Sequence, residues 1–179
     1  ASGAEDEGIR HFLGAVVYES KKAVAGKPSM HDVIDGQQRM TTLQILIDAA
    51  RGVIGGRVDT ADPDLRGEYE DQEEALHDLV ANSAKSFAGT DLRFKLLPSR
   101  ADREAFKHAM DPQVEFDGEH RILDAHAYFT REVDRWLAGV VEEGEDPVPG
   151  TEGERVHALS ETLQHRLTLV TIDLSGHDD

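Results

Sequence analysis

Cysteine is absent from all 179 residues. That excludes disulfides, thiolate catalysis and zinc sites built on sulfur. No apolar run approaches the ~20 residues needed to span a bilayer, and no secretory leader is visible. The expectation is a cytoplasmic protein with no membrane partner. The nine histidines show no ligand spacing of the His-Glu-x-x-His kind, so a metal site built on them is not expected. No internal repeat or coiled coil is evident. Positive charge is scarce: 19 Lys and Arg stand against 36 Asp and Glu, a formal net charge of −17. A surface this acidic repels DNA on average, so any duplex contact needs a local basic patch or another domain. A nucleotide arriving with Mg²⁺ suits it better. What remains is an ordinary soluble balance, 39% hydrophobic and 31% charged, with the length of one domain or slightly more.

The stretch around which the chain is organised is His31–Ala50, HDVIDGQQRMTTLQILIDAA. His31–Ile34 is short and extended, a strand feeding a turn. Asp35-Gly36 is a turn signal. From Met40 the period becomes helical, with Leu43, Leu46, Ile47, Ala50 and Ile54 on one face and Gly55-Gly56 as the stop. Asp35-Gly36-Gln37-Gln38-Arg39 is thus placed between a strand end and a helix N-terminus, where free amides and the helix dipole suit an anion. Arg39 offers a planar fork for a phosphate. Gln37 and Gln38 can hold a water or a base edge. Asp35 can hold a hydrated Mg²⁺ or accept a proton, and Thr41 and Thr42 add hydroxyls. The plainer alternative is a solvated turn with a polar rim, since this is no Walker sequence.

Ala1–Gly8 is acidic and is given no structure. His11–Glu19 predicts a strand buried on both faces, weakened at Gly14 unless some backbone or ligand approaches closely there. Ser20–Met30 reads as a loop carrying the Lys21/Lys22/Lys27 cluster. Arg57–Pro63 reads as a linker and Asp64–Asn82 as a helix. Asp91–Pro98 alternates Leu92, Phe94 and Leu96 with Arg93 and Lys95, predicting a half-exposed strand. A helix follows Ser99 and Asp102 through Phe106 to Met110. Arg93, Lys95 and Arg100 share a neighbourhood, lining a phosphate site or neutralising nearby acids. Glu119–Val141 predicts the longest helix, with His126 on its apolar stripe as a core histidine. Glu142–Gly153 reads as a flexible linker, Glu154–Arg166 as the last helix, and Leu167–Leu174 as a central strand.

VIDGQQRMTTL resembles the signature of DGQQR-motif domains. Those stand at the N-terminus of GmrSD-type modification-dependent restriction proteins and of SspE-like phage-defence proteins. HFLGAVVY resembles the family's strand before the motif, DLRFKLLPSRADREAF its mid-domain strand and helix, and RLTLVTIDL its later strand. The resemblance implies an α+β fold: a small ParB/sulfiredoxin-like sheet with about five helices packed on and beyond it. The expected division is 1–58 as strand–turn–helix core, 59–153 as helical region and acidic linker, and 154–179 as helix and strand returning to the sheet, in one domain overall. Two landmarks of the family, a Tyr-Gln-Arg-like strand and an Asn-x-Arg-Gly-like segment, are missing, so a fragment is expected.

The implied activity is hydrolysis of a nucleoside triphosphate, GTP or ATP with Mg²⁺, within an anti-phage restriction system. Asp35, Gln37, Gln38 and Arg39 are then the candidate catalytic residues, Gly36, Arg39, Thr41 and Thr42 the candidate nucleotide-binding residues, and Asp35 the candidate Mg²⁺ ligand. No DNA-contacting residue is assigned. The implied partners are modified DNA, through the full-length protein, and a C-terminal HNH-type nuclease domain or partner subunit. The alternative is a ParB-like module that binds nucleotide or modified DNA and switches without hydrolysis.

Overall fold

The computed structural model describes residues 9–142, 144 and 146–175, so the expectation made for Ala1–Gly8 lies outside the described residues. It is α+β. Strands β1 (His11–Ser20) and β2 (His31–Asp35) lead into helix α1 (Gln37–Gly55). There follow α2 (Arg66–Val80), α3 (Ala84–Phe87), α4 (Arg103–Met110), α5 (Arg121–Leu137) and α6 (Glu152–Glu161). A π-helical turn over Thr162–Arg166 then delivers strand β3 (Leu167–Asp173).

The sheet has the order β2-β1-β3, with β1 antiparallel to β2 and parallel to β3. Parallel neighbours need a crossover, and here the whole helical body serves as one. Two expectations about the sheet are corrected. Leu167–Leu174 was expected at the centre, but β3 is an edge strand. Its Leu/Val/Ile content reflects apolar residues on both faces, and the outer ones, Val170 and Ile172, are exposed. Nor is β1 buried on both faces: Val16 is buried, whereas Phe12 is 67% exposed.

The core lies among the helices. Ile47, Ala50 and Ile54 of α1 pack with Tyr69 and Leu76 of α2, Phe106 of α4, Leu137 of α5 and Val156 of α6. α1 is at the middle of this body, and from Gln44 onward it is buried nearly all round. Its polar Asp48 is buried among partners: Arg51 donates to one carboxylate oxygen at 3.0 Å, and His126 Nε2 lies 3.0 Å from the other. Arg51 also reaches Glu73 at 2.8 Å. Burial works against the Arg51 charge, but the two carboxylates more than offset it, and its pKa is raised. His126 is thus a partnered histidine at the α1–α5 contact.

Asp91–Pro98 is not a strand. Asp91–Arg93 is a 3-10 turn, and Phe94 makes an isolated bridge with Ala81 before inserting beside Phe106, ring centroids 6.1 Å apart. The alternation records one half-buried anchor rather than a sheet partner. The sheet therefore has three strands, not four. α5 is also shorter than expected and α1 is the longest helix, because Gly139, at φ +70°, ends α5's run. Arg155, buried at the base of α6, donates to the carbonyls of Leu137 and Gly150 and lies against Gly139. A guanidinium thereby neutralises the carbonyl end of α5.

Candidate functional site

The helix at the motif begins three residues earlier than the periodicity predicts. Gln37, Gln38 and Arg39 form its first turn, because Gly36 adopts φ +91° and brings the chain from β2 into the helix within one residue. That left-handed angle favours glycine. Val16 and the Ala15 carbonyl lie 3.1 and 3.2 Å from where a Cβ would stand. α1 has no side-chain cap and no acid in its first turn. The first turns of α2, α4, α5 and α6 each carry one. In a chain with 36 acids, this dipole end is left open to an anion.

Arg39 reaches back across β1. Its Nη1 donates to the Ala15 carbonyl, which lies past the end of β2, where Gly36 turns away. The guanidinium rests over Gly14: a Cβ there would stand 3.1 Å from Cζ and 3.2 Å from Nη2. Gly14 has φ +102° and falls where the β1–β3 register shifts between Phe12 and Ala15. The close approach that Gly14 called for is made by the Arg39 side chain. Nε and Nη2 have no partner among the described residues, and the side chain is exposed.

The other motif residues divide. Asp35 accepts from the Gly36 amide at 2.8 Å. Gln37 is tied to β2 by donating to the Val33 carbonyl at 2.7 Å, whereas Gln38 is exposed and its side chain makes no hydrogen bond. Thr41 donates to the Gln37 carbonyl at 2.9 Å. Two cavities flank the first turns of α1. An open cleft of about 900 Å³ lies between the inner face of the sheet and the segment 91–99, with Gln37, Met40 and Thr41 on its lip. A second, of about 470 Å³, lies toward α5 and is lined by Gln37, Gln38, Thr41 and Thr42. Gln37 and Thr41 form the ridge between them. Asp35, Gly36 and Arg39 line neither and cluster instead at the β1–β2–α1 junction. The structure thus brings Asp35, Gly36, Arg39 and the open helix end together, and directs Gln38 and Thr42 to the other side of the same turn.

Among the described residues no group of three or more His, Asp or Glu converges as a metal site. The exposed Asp35 carboxylate fits the usual Mg²⁺ arrangement, in which one or two carboxylates share the ion with substrate phosphates and water. Half of the six residues in the two basic clusters are engaged. Lys21 pairs with Asp32 at 2.8 Å, Arg93 pairs with Asp111 at 2.7 Å, and Lys95 donates to the Asp78 carbonyl. One arginine lining the larger cleft, Arg103, was not singled out from the sequence. It begins α4 and has no hydrogen-bond or ion-pair partner among the described residues, and its Nε is enclosed. No described helix is long and apolar enough to cross a membrane.

A family model described as the N-terminal domain of GmrSD restriction endonuclease matches residues 5–179. A comparison with curated proteins gives no match.

Proposed function

Because the chain belongs to the family of GmrSD restriction endonuclease N-terminal domains, a restriction-system family, we propose that it is the system's nucleoside-triphosphate-hydrolysing module, taking GTP or ATP. The observation that carries this reading is the bare first turn of α1, uncapped and free of acids, with the open edge of the Arg39 guanidinium beside it. Three amides and a planar fork suit a polyphosphate tail. Hydrolysis adds water at the terminal phosphorus and breaks its bond to the bridging oxygen, which leaves with the diphosphate. That chemistry needs mostly positioning and charge neutralisation. Gln37 is tied to β2, and Gln38 faces the cavity toward α5, so Gln38 orients the water where the terminal phosphate reaches over the turn to that side. Asp35 would hold Mg²⁺, which supplies charge neutralisation at the phosphates. Thr41 and Thr42 add hydroxyls along the same turn. Modified DNA and a C-terminal nuclease domain are the proposed partners in the full-length protein.

Phosphate release measured with each of the four nucleotides tests this. Gln38→Ala is expected to lower turnover more than affinity, the mark of a contact made in the transition state. Arg39→Ala should abolish activity while leaving the fold intact, and Arg39→Lys should restore it only in part. An Arg39→Ala protein that binds and hydrolyses normally would refute the phosphate role.

One observation favours a second reading. Arg39 already clamps β1 to the start of α1, so an anion that drew the guanidinium away would loosen that junction. A nucleotide or modified DNA then switches conformation without turnover. Nucleotide binding without phosphate release selects this reading.

A further inference from the structure

Arg103 is the clearest polar group in the described structure without an occupation. Its side chain lines the larger cleft and its Nε is enclosed, yet no carbonyl or carboxylate accepts from it. A buried donor left unpaired costs free energy comparable to a lost hydrogen bond, and one on a charged group costs more. The cleft's acids do not relieve it, because Asp32 is paired with Lys21 at 2.8 Å and Asp91 with Lys107 at 2.7 Å. Lys95 is held by the Asp78 carbonyl. Among the described residues the cleft thus holds two cations without a carboxylate partner, Lys95 bound to a neutral carbonyl and Arg103 bound to nothing.

The walls around it are apolar. Val16 and Leu169 come from the inner sheet face, Met40 from α1, and Phe94 and Leu96 from the segment crossing above. At about 900 Å³ the space falls within the range of small-molecule sites. A guanidinium beside such walls suits a ligand with an apolar body and one anionic group. Gln37, the first residue of α1, and Val16, which packs beside Gly36, are among the residues lining the cleft, so it adjoins the turn of the proposed polyphosphate site although Arg39 does not line it.

We propose that the cleft takes the nucleoside end of the nucleotide and that Arg103 is the binding residue for its α-phosphate. This deepens the reading above and rests on it. Arg39 and the first turn of α1 then serve the outer phosphates, and two arginines from distant parts of the chain divide one ligand.

The test uses the chain as it stands, with Mg²⁺ and methylanthraniloyl-labelled GTP, ATP, GMP and AMP followed by fluorescence anisotropy. Arg103→Gln is expected to weaken both tri- and monophosphate binding by about tenfold or more, as loss of a charge-assisted hydrogen bond does. Arg103→Lys should recover part of that affinity. Arg39→Ala should weaken triphosphate far more than monophosphate. If Arg103→Gln does not fold, phenylglyoxal labelling of the wild-type chain serves instead, and GMP or AMP should protect Arg103. Triphosphate binding unchanged in Arg103→Gln, or Arg103 labelled equally with and without monophosphate, overturns the inference and leaves the nucleotide module standing. Arg103-dependent binding with no phosphate release supports the inference and selects the switch over the enzyme. No binding of any of the four probes overturns both.

Discussion

The seat of Arg39 on Gly14 can be tested by a double-mutant cycle. Replacing Gly14 by Ala acts in two ways that separate cleanly. The first is backbone strain: a residue with a Cβ at φ +102° costs about 1–2 kcal/mol whatever its neighbours. The second runs through Arg39. A Cβ placed 3.1 Å from Cζ pushes the guanidinium off the Ala15 carbonyl, and a hydrogen bond at this exposed position contributes about 1 kcal/mol. Arg39→Ala alone removes that bond and should cost about the same. In the double variant the bond is already gone, so Gly14→Ala adds only its backbone strain. The two substitutions should therefore fall short of additivity by about 1 kcal/mol, well above the ~0.3–0.5 kcal/mol scatter of independent sites. Urea unfolding followed by far-ultraviolet circular dichroism, with a common slope for all four proteins, measures the coupling. In a chain of this length Gly14→Ala alone should lower the Tm by roughly 4–12 °C. Additivity within ~0.3 kcal/mol would mean that the guanidinium does not rest on Gly14, and the account of the junction would fall with it.

The remaining predictions concern the body and the surface. Asp48→Ala leaves Arg51 and His126 without their shared carboxylate in a buried setting, and should cost about 3 kcal/mol, read as a lowered midpoint by calorimetry. Arg155→Met removes the bonds to the Leu137 and Gly150 carbonyls and should destabilise by about 2–4 kcal/mol, with far-ultraviolet signal lost from the end of α5. The Glu154 carboxyl is held below its ordinary range by the Thr151 amide and hydroxyl, which bond its charged form. Its contribution is present above the ordinary carboxylate pKa and is lost as pH falls through the lowered one, so Glu154→Gln should flatten the acid limb of a stability–pH curve. With 36 acids against 19 bases, the chain should bind unmodified duplex only weakly at physiological salt. A sub-micromolar Kd with a steep salt slope in a polarisation titration would show a basic face that this reading lacks.

The local signals in the sequence were the dependable ones. Val33-Ile34 followed by Asp35-Gly36 marked the end of β2, and the apolar period from Leu43 to Ile54 marked α1. What local reading missed depends on distant partners. Alternation at Leu92, Phe94 and Leu96 cannot tell a strand from a single aromatic anchor, because Phe106, against which Phe94 packs, lies outside the window. The apolar density of Leu167–Leu174 indicates that both faces are greasy but not which edges are paired. Arg39 was legible as a cation at a helix start, not as a clamp on Ala15. That role needs β1 brought alongside, although the mid-strand Gly14 hinted at a close approach. Arg103 gave no signal, since an arginine without a partner looks in sequence like any other in a charged helix.

The parallel pairing of β1 with β3 also fixes when the site comes into being. The bond from the Ser20 amide to the Ser175 hydroxyl joins residues 155 positions apart. Closing so long a loop is entropically slow and waits on the contacts that shorten it. At ~5–20 residues per second of synthesis, β1 leaves the ribosome on the order of ten seconds before its partner strand. During that interval β1 has the β2 hairpin and the Arg39 clamp to hold it, and Leu169 is not yet there to complete the wall of the cleft. The nascent chain thus lacks the cleft wall made by Leu169 and Thr171 until β3 has been made, so a chain terminated before β3 is expected not to bind the proposed nucleotide there.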